Sequence, residues 1–277
     1  MHLKTVVHTA RLMRHFRNGF SLALHIHARR RVEELVLWDG TRIAHPPGRE
    51  GLLETMHEIW LQHVYTEGFY RPGNGDVIVD AGANIGLFAI YMARQNRRCR
   101  VIALEPFAEN FEFLEANRAR ARCDNVRCCA MALGGNYGEA QMEAVGTRSL
   151  DHMLRGPESS GLPDAMSQPR TRTMQPKSEA GNVPVIPLSG LFELTVSEEI
   201  DFLKVDIEGS ERDVFAAATP DLLRRIRRVA LEYHDHLVPG TLELVRTALA
   251  PTHEVTIRPS LQMGCGILLA RRRDLKH

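Results

Sequence analysis

The chain has 277 residues, with 35 Lys and Arg against 34 Asp and Glu for a formal net charge of +1, and 44% of its residues are hydrophobic. This is the make-up of a soluble globular protein with one large domain or one domain plus additions, and its balanced charge supplies no general drive toward nucleic acid or an anionic membrane. The five cysteines are odd in number and form no zinc-type pair of C-x-x-C motifs, so they read as reduced thiols; no apolar stretch reaches the roughly 18 residues of a spanning helix.

The first stretch, MHLKTVVHTARLMRHFRNGF, is too charged for a secretory signal, and a cytoplasmic location is expected. Over 9–30, Leu12, Met13, Phe16, Phe20, Ala23 and Leu24 recur at helical spacing among arginines and histidines. The spacing predicts a basic helix packed on its own domain; a membrane surface, a partner or a homodimer interface is the alternative use of its face. ELVLWDGTRI reads as a hairpin turning at Asp39-Gly40. LLETMHEIWLQHVY (52–65) reads as a helix with Leu53, Met56, Ile59, Trp60 and Val64 on one side. Residues 1–70 are expected to form an extension packed on a core domain of 71–277.

From Asp76 onward strands and helices alternate. VIVDA is a strand, NIGLFAIYMARQN a helix, RVIALEP a strand, AENFEFLEANRAR a helix, NVRCCAMAL a third strand and EAQMEAV a fourth. The pattern stops at 155–182, where four prolines and no apolar periodicity predict a disordered excursion or a lid. It resumes with DFLKVDI, SERDVFAAA, RRVALEY and GTLELVRTALA, and ends in HEVTIRP and GCGILLARR. The last two are joined by too few residues for a crossover helix, so they must be antiparallel. The predicted fold is α/β: a mostly parallel sheet with helices on both faces, ending in a hairpin.

In such a sheet, ligands bind beyond the carboxyl ends of the strands. VIVDAGANIG (77–86) is one of those ends. Gly82 and Gly86 permit a tight turn and close approach of backbone to a ligand. Asn84 tolerates unusual backbone angles or caps the following helix, whose first N–H groups suit an anionic group. Glu105, closing RVIALEP, stands 19 residues after Gly86, where a carboxylate accepts both hydroxyls of a ribose. That fits NAD, and it fits the adenosine of S-adenosylmethionine. A dinucleotide fingerprint would have glycine where Asn84 stands. Asp80 would repel a pyrophosphate but suits an ammonium and a sulfonium. S-adenosylmethionine is therefore favoured.

DFLKVDIEGSERDVF (201–215) places Lys204 and Asp206 on one face of an otherwise apolar strand, where a buried lysine needs an acidic partner. Glu208 and Gly209 follow on the turn. Ser210 and Asp213 have the spacing of a capping box. RRVALEYHDH puts Glu232 and His234 on one face at the end of the next strand. Carboxylates gathered beside a nucleotide pocket cost electrostatic energy and point to chemistry.

GDVIVDAGANIG (75–86), VIALEP (101–106), MALGGNYG (131–138), DFLKVDIEGSE (201–211) and VALEYH (229–234) together resemble the FkbM-type family of S-adenosylmethionine-dependent methyltransferases. The resemblance covers roughly 70 to 270, and KVDIEGSE is its most specific piece. It implies a Rossmann-like class I methyltransferase fold with a seven-stranded sheet whose last strand is antiparallel. It implies cofactor contacts from Asp80, Gly82, Asn84, Gly86 and Glu105, with Ala83, Pro106 and Leu133 in the same motifs. It also implies methylation of a hydroxyl on a sugar, polyketide or other secondary metabolite.

Such a transfer needs water excluded, an in-line geometry and a base for the hydroxyl proton. His234 or Asp206 is the expected base, with Glu208, Glu232 and Lys204 orienting it or the substrate. In a rival version the carboxylates and His234 hold a divalent metal that acidifies the hydroxyl. Tyr70 either closes over the cofactor or packs in the core. The expected partner is a small hydroxyl-bearing molecule. Nucleic acid is not expected, because the chain lacks both an Asn/Asp-Pro-Pro-aromatic motif and a Pro-Cys nucleophile. A nicotinamide oxidoreductase and a non-catalytic interaction module are the remaining alternatives.

Overall fold

Two short helices, α1 (Leu3–His15) and α2 (Gly19–His27), replace the single helix expected over 9–30. The break at 16–18 has a local cause. A neighbouring hairpin, β1 (Glu34–Val36) and β2 (Arg42–Ala44), takes the backbone groups that a continuing helix would use. Phe16 pairs with Leu37, the Arg17 N–H donates to Val36 O at 2.7 Å, and the Asn18 carboxamide bridges Val36 N and Glu34 O. Gly19 then lets α2 press onto α1: a Cβ there would lie 2.5 Å from the Leu12 carbonyl carbon. The expected 52–65 helix forms as α3 (Leu52–Met56), continues as a π-helix over His57–Gln62, and stops at His63 with φ 53°.

The structure describes residues 3–28, 30–144, 152–155, 182–260 and 263–275; it is a computed structural model. The core elements follow in chain order as β3 (Val77–Ala81), α4 (Leu87–Gln95), β4 (Arg100–Leu104), α5 (Ala108–Arg120) and β5 (Val126–Cys129). Next come β6 (Ala132–Leu133), β7 (Gly138–Ala144), β8 (His152–Arg155), β9 (Asn182–Ile186) and α6 (Gly190–Thr195). The last group is β10 (Phe202–Val205), α7 (Glu211–Ala216), α8 (Pro220–Arg224), β11 (Arg228–His234), α9 (Thr241–Leu249), β12 (His253–Pro259) and β13 (Cys265–Arg272).

Seven strands form one sheet in the order β12–β13–β11–β10–β3–β4–β5. β13 alone runs opposite to the other six strands. This is the Rossmann-like class I methyltransferase topology. From β3 the chain steps outward to β4 and β5, then returns to β10 on the other side. The strand order reverses there, where an open sheet leaves a ligand crevice.

Two expectations need correction. NVRCCAMAL is not one strand: β5 ends at Cys129, and Ala132–Leu133 leave the main sheet to pair with β9. EAQMEAV forms β7, but in a second, four-stranded sheet of order β6–β9–β7–β8. The Pro-rich excursion lies outside the described residues except at its two ends. Among the described residues, no helix is long and apolar enough to cross a membrane.

Because alternate residues of β3 point to opposite faces, two cores form. Ile78 packs with Phe88, Phe202 and the N-terminal elements through Phe16, Met56 and Trp60. Val77 and Val79 pack with Leu191, Phe215 and Leu249. Asn117, fully buried on α5, fastens the N-terminal extension to the ligand crevice. Its Nδ2 donates to Ala44 O at 2.8 Å and Ile85 O at 3.0 Å, and its Oδ1 accepts from Ala44 N at 2.8 Å. Asn117→Ala leaves those buried backbone groups unpaired and is expected to cost about 2–4 kcal/mol in denaturant unfolding. A loss below about 0.5 kcal/mol would show that the extension is held by other contacts.

Candidate active site

The crevice is built on the turn after β3. Gly82 has φ 77°, and a Cβ there would lie 1.7 Å from Asp206 O, so only glycine lets the end of β10 pass. Asn84 takes the left-handed conformation, φ 49°, and its side chain accepts from Ile85 N at 2.7 Å. Its own N–H donates to Glu105 Oε2 at 2.7 Å, while Glu105 Oε1 accepts from Phe107 N at 2.9 Å. Glu105 is thus fixed at both oxygens at the tip of β4. Burial pushes its carboxyl up to about 7, against the pull of the hydrogen bonds from Phe107, Asn84 and Asn110.

Gly82, Ala83, Asn84, Glu105, Pro106 and Leu133 line one cavity, which also reaches Lys204, Asp206, Glu208, Glu232 and His234. Three expected cofactor residues sit elsewhere. Asp80 is fully buried beneath the cavity floor. Gly86 faces α5, where a Cβ would meet the Leu114 side chain at 2.6 Å. Tyr70 stacks on Phe202 with ring centres 4.5 Å apart, and its hydroxyl donates to Asp76 at 2.7 Å; it is a packing residue outside this cavity.

Behind the turn, Lys204 is buried between two aspartates. Its Nζ lies 3.2 Å from Asp80 Oδ1 and 3.3 Å from Asp206 Oδ2, and donates to Gly82 O at 3.2 Å. The Asp80 contact is an ion pair without hydrogen-bond alignment. The rings of Tyr65 and Phe88 cover the ammonium at 5.3 and 5.9 Å. Burial alone would lower the Lys204 pKa, but the charges of Asp80 and Asp206 outweigh it and hold the amine protonated. Asp80 is therefore already paired. The ammonium and sulfonium foreseen beside it would compete with Lys204.

On the other side of Asp206 the carboxylates meet His234. Its Nδ1 lies 3.0 Å from Oε1 of the fully buried Glu211, and its Nε2 lies 3.6 Å from Glu208 and 4.0 Å from Glu232. Glu211 also accepts from Ile207 N at 3.2 Å and Gly209 N at 2.9 Å, closing the turn that carries Glu208 in the left-handed region. The expected capping box does not form: Ser210 occupies the N-cap position without a side-chain cap bond, and the acid that serves the turn is Glu211, which accepts from the N–H groups of Ile207 and Gly209 ahead of the helix. Burial lowers the His234 pKa, but the Glu211 bond and the charges of Glu208, Glu211 and Asp206 overcome it and push it up to about 10. Burial and mutual repulsion raise the carboxyls of Glu208 and Glu232. Single ligand atoms from Asp206, Glu232 and His234 all lie within 4.8 Å of one another.

Two residues of the site were not singled out by the sequence. Tyr65 donates to Glu232 at 2.8 Å and to Asp206 at 3.3 Å. Glu211 orients the histidine. The signal for Glu211 lay in the EGSE motif itself, whose final acid is two residues closer to the turn than Asp213.

The sequence is similar to those of known methyltransferases. The methyltransferase FkbM domain family matches residues 80–248. The 31-O-demethyl-FK506 methyltransferase FkbM of Streptomyces tacrolimicus is 30% identical over 82% of this chain and 90% of its own length. AMB antimetabolite synthetase AmbE of Pseudomonas aeruginosa is 28% identical over 64% of this chain, a match that spans only 9% of that protein. A methyltransferase from Pyrococcus furiosus, 14% identical, overlays 92% of this chain and 98% of its own with a TM-score of 0.43. The chain belongs to the FkbM methyltransferase family and is a methyltransferase.

The raised carboxyls fix a pH dependence. A carboxyl whose pKa is higher in the folded than in the unfolded state binds its proton more tightly when folded, so stability falls as pH rises. For Glu105 the fall runs from its ordinary 4.5 through about 7. His234, raised from 6.5 to about 10, acts in the same direction at higher pH. Chemical denaturation of the ligand-free protein should show stability declining from mildly acid to mildly alkaline pH. Glu105→Gln should remove on the order of 2 kcal/mol of the decline below neutrality. An undiminished decline in that variant would mean that Glu105 ionises normally.

Proposed function

We propose that this FkbM-family methyltransferase takes its methyl group from S-adenosylmethionine and delivers it to a hydroxyl of a small molecule such as a sugar, glycoside or polyketide. The observation that carries the reading is Glu105. Its two oxygens are anchored by backbone N–H groups beside a turn in which glycine is compulsory at 82. A carboxylate so placed accepts the two hydroxyls of a ribose. Asn84 stands where a dinucleotide site would have glycine, which disfavours a nicotinamide cofactor. Ala83, Pro106 and Leu133 supply the apolar walls suited to an adenine ring. When bound, the cofactor supplies an activated methyl group.

The chain's own residues then have three tasks. Asp206 takes the proton from the acceptor hydroxyl as that oxygen becomes nucleophilic. Lys204 and Tyr65 fix the Asp206 carboxylate in place. His234, held by Glu211 and positively charged below its raised pKa, steadies Glu208 and Glu232 against each other. The pKa of His234 makes Asp206 the better of the two expected bases. The Asp206–Glu232–His234 cluster favours a second reading, in which these three hold a divalent cation that acidifies the hydroxyl. Dialysis against EDTA discriminates. Activity that falls and returns with magnesium selects the metal, and activity unchanged by chelator removes it.

S-adenosylmethionine and S-adenosylhomocysteine should raise the melting temperature of the protein and NADH should not, with about 2.7 kcal/mol of added stability at a hundred times the dissociation constant. Glu105→Ala should weaken that binding at least tenfold. Asp206→Asn should abolish methyl transfer while leaving the binding within about threefold. Stabilisation by NADH alone would overturn the cofactor assignment. Full activity of Asp206→Asn would misplace the base.

A further inference from the structure

The first 32 residues contain six arginines and a lysine and no Asp or Glu, although the whole chain carries only +1; the remainder is net negative. The positive charge is thus concentrated in one segment. The exposed apolar side chains are concentrated there too. Of the nine large hydrophobic residues exposed among the described residues, Met13, Phe20, Leu24, Ile26 and Trp38 lie on α1, α2 and the β1–β2 turn. Phe20 is 60% exposed and Trp38 62%.

The elements that carry these side chains pack on one another. Gly19 packs against the backbone of Leu12 and Met13, which holds the start of α2 against α1. The Trp38 indole N–H donates to Met13 O at 3.0 Å, which pins the other side of the patch while leaving the ring outward. The inward faces are used up, since Leu12, Phe16 and Leu22 are buried in the core. Arg14 and Arg17 are exposed on and just beyond α1 and pair with no carboxylate among the described residues.

We propose that this surface docks the protein peripherally on an anionic lipid membrane. Outward aromatic and aliphatic side chains interleaved with cations are the pattern of a surface that lies in the headgroup layer, drawn by negative lipids and held by apolar insertion. Charge complementarity selects this occupant over a second copy of the chain. An isologous pairing through α1 and α2 would bring two acid-free basic segments face to face. α1 and α2 are 13 and 9 residues long, too short to span. Arg11 of α1 also lines a second cavity that shares Glu58 and Glu232 with the active site, so the docking helix borders the approach to the reacting groups.

Co-sedimentation of the full chain with vesicles tests this, using phosphatidylcholine alone against phosphatidylcholine with about one third phosphatidylserine. Trp38 provides an internal reporter, because the other tryptophan, Trp60, is buried. The protein should pellet with the anionic vesicles, with a blue shift of its emission that Trp38→Phe removes. Binding should weaken at least tenfold in Phe20→Ser/Trp38→Ser, in Arg14→Glu/Arg17→Glu, and on raising salt to about 0.5 M. No binding to anionic vesicles, equal binding to neutral ones, or a salt-resistant dimer in light scattering that the same variants dissociate would each overturn the proposal.

Discussion

Lys204 between Asp80 and Asp206 is the interaction on which the site depends. Two charges of one sign flank one of the other at 3.2 and 3.3 Å, and the cation is almost wholly out of water. Such a group adds little net stability over a well-packed apolar one, but removing one partner strands a buried charge at a cost of about 3–5 kcal/mol. The arrangement therefore specifies geometry. Lys204 and Asp80 are register partners on adjacent parallel strands, so their pairing locks β10 to β3 at their carboxyl ends. The same ammonium donates to Gly82 O, which ties the ligand turn to the strand that carries Asp206. The turn at Gly82 and the carboxylates of Asp80 and Asp206 are thereby joined through one ammonium.

A second unit, Glu211 with His234, closes the other end. Glu211 takes two backbone N–H groups of the 207–209 turn and the imidazole Nδ1, so one buried side chain sets both the strained position of Glu208 and the direction of His234 Nε2. Tyr65 joins this half to the N-terminal extension through Glu232 and Asp206. The extension is thus part of the site's wall as well as the source of its outer surface.

Much of this was legible in the sequence for physical reasons. A glycine turn after an apolar strand, an acid one strand later, and charged residues at i and i+2 of an apolar strand are local patterns, and each determines a face or a turn. What was not legible depends on long-range pairing. Tyr65 lies 141 residues from Asp206, and nothing nearby distinguishes it from a packing aromatic. Tyr70 showed the converse: its position before the first core strand left a cofactor lid and a packing role both open, and only its stacking on Phe202 across the fold places it in the core. The split of the 9–30 helix required knowing that Val36 would claim the Arg17 N–H. The second sheet required β6 and β9, two and five residues long, to find each other across 48 intervening positions.

If the Glu105 turn and the Lys204–aspartate unit together place a methyl donor against Asp206, a crystal structure with S-adenosylhomocysteine will show it. The ribose hydroxyls should lie on Glu105, the adenine between Pro106 and Leu133, and the sulfur should turn toward Asp206 and His234. A nucleoside bound anywhere else, or a sulfur facing away from those two side chains, would contradict it.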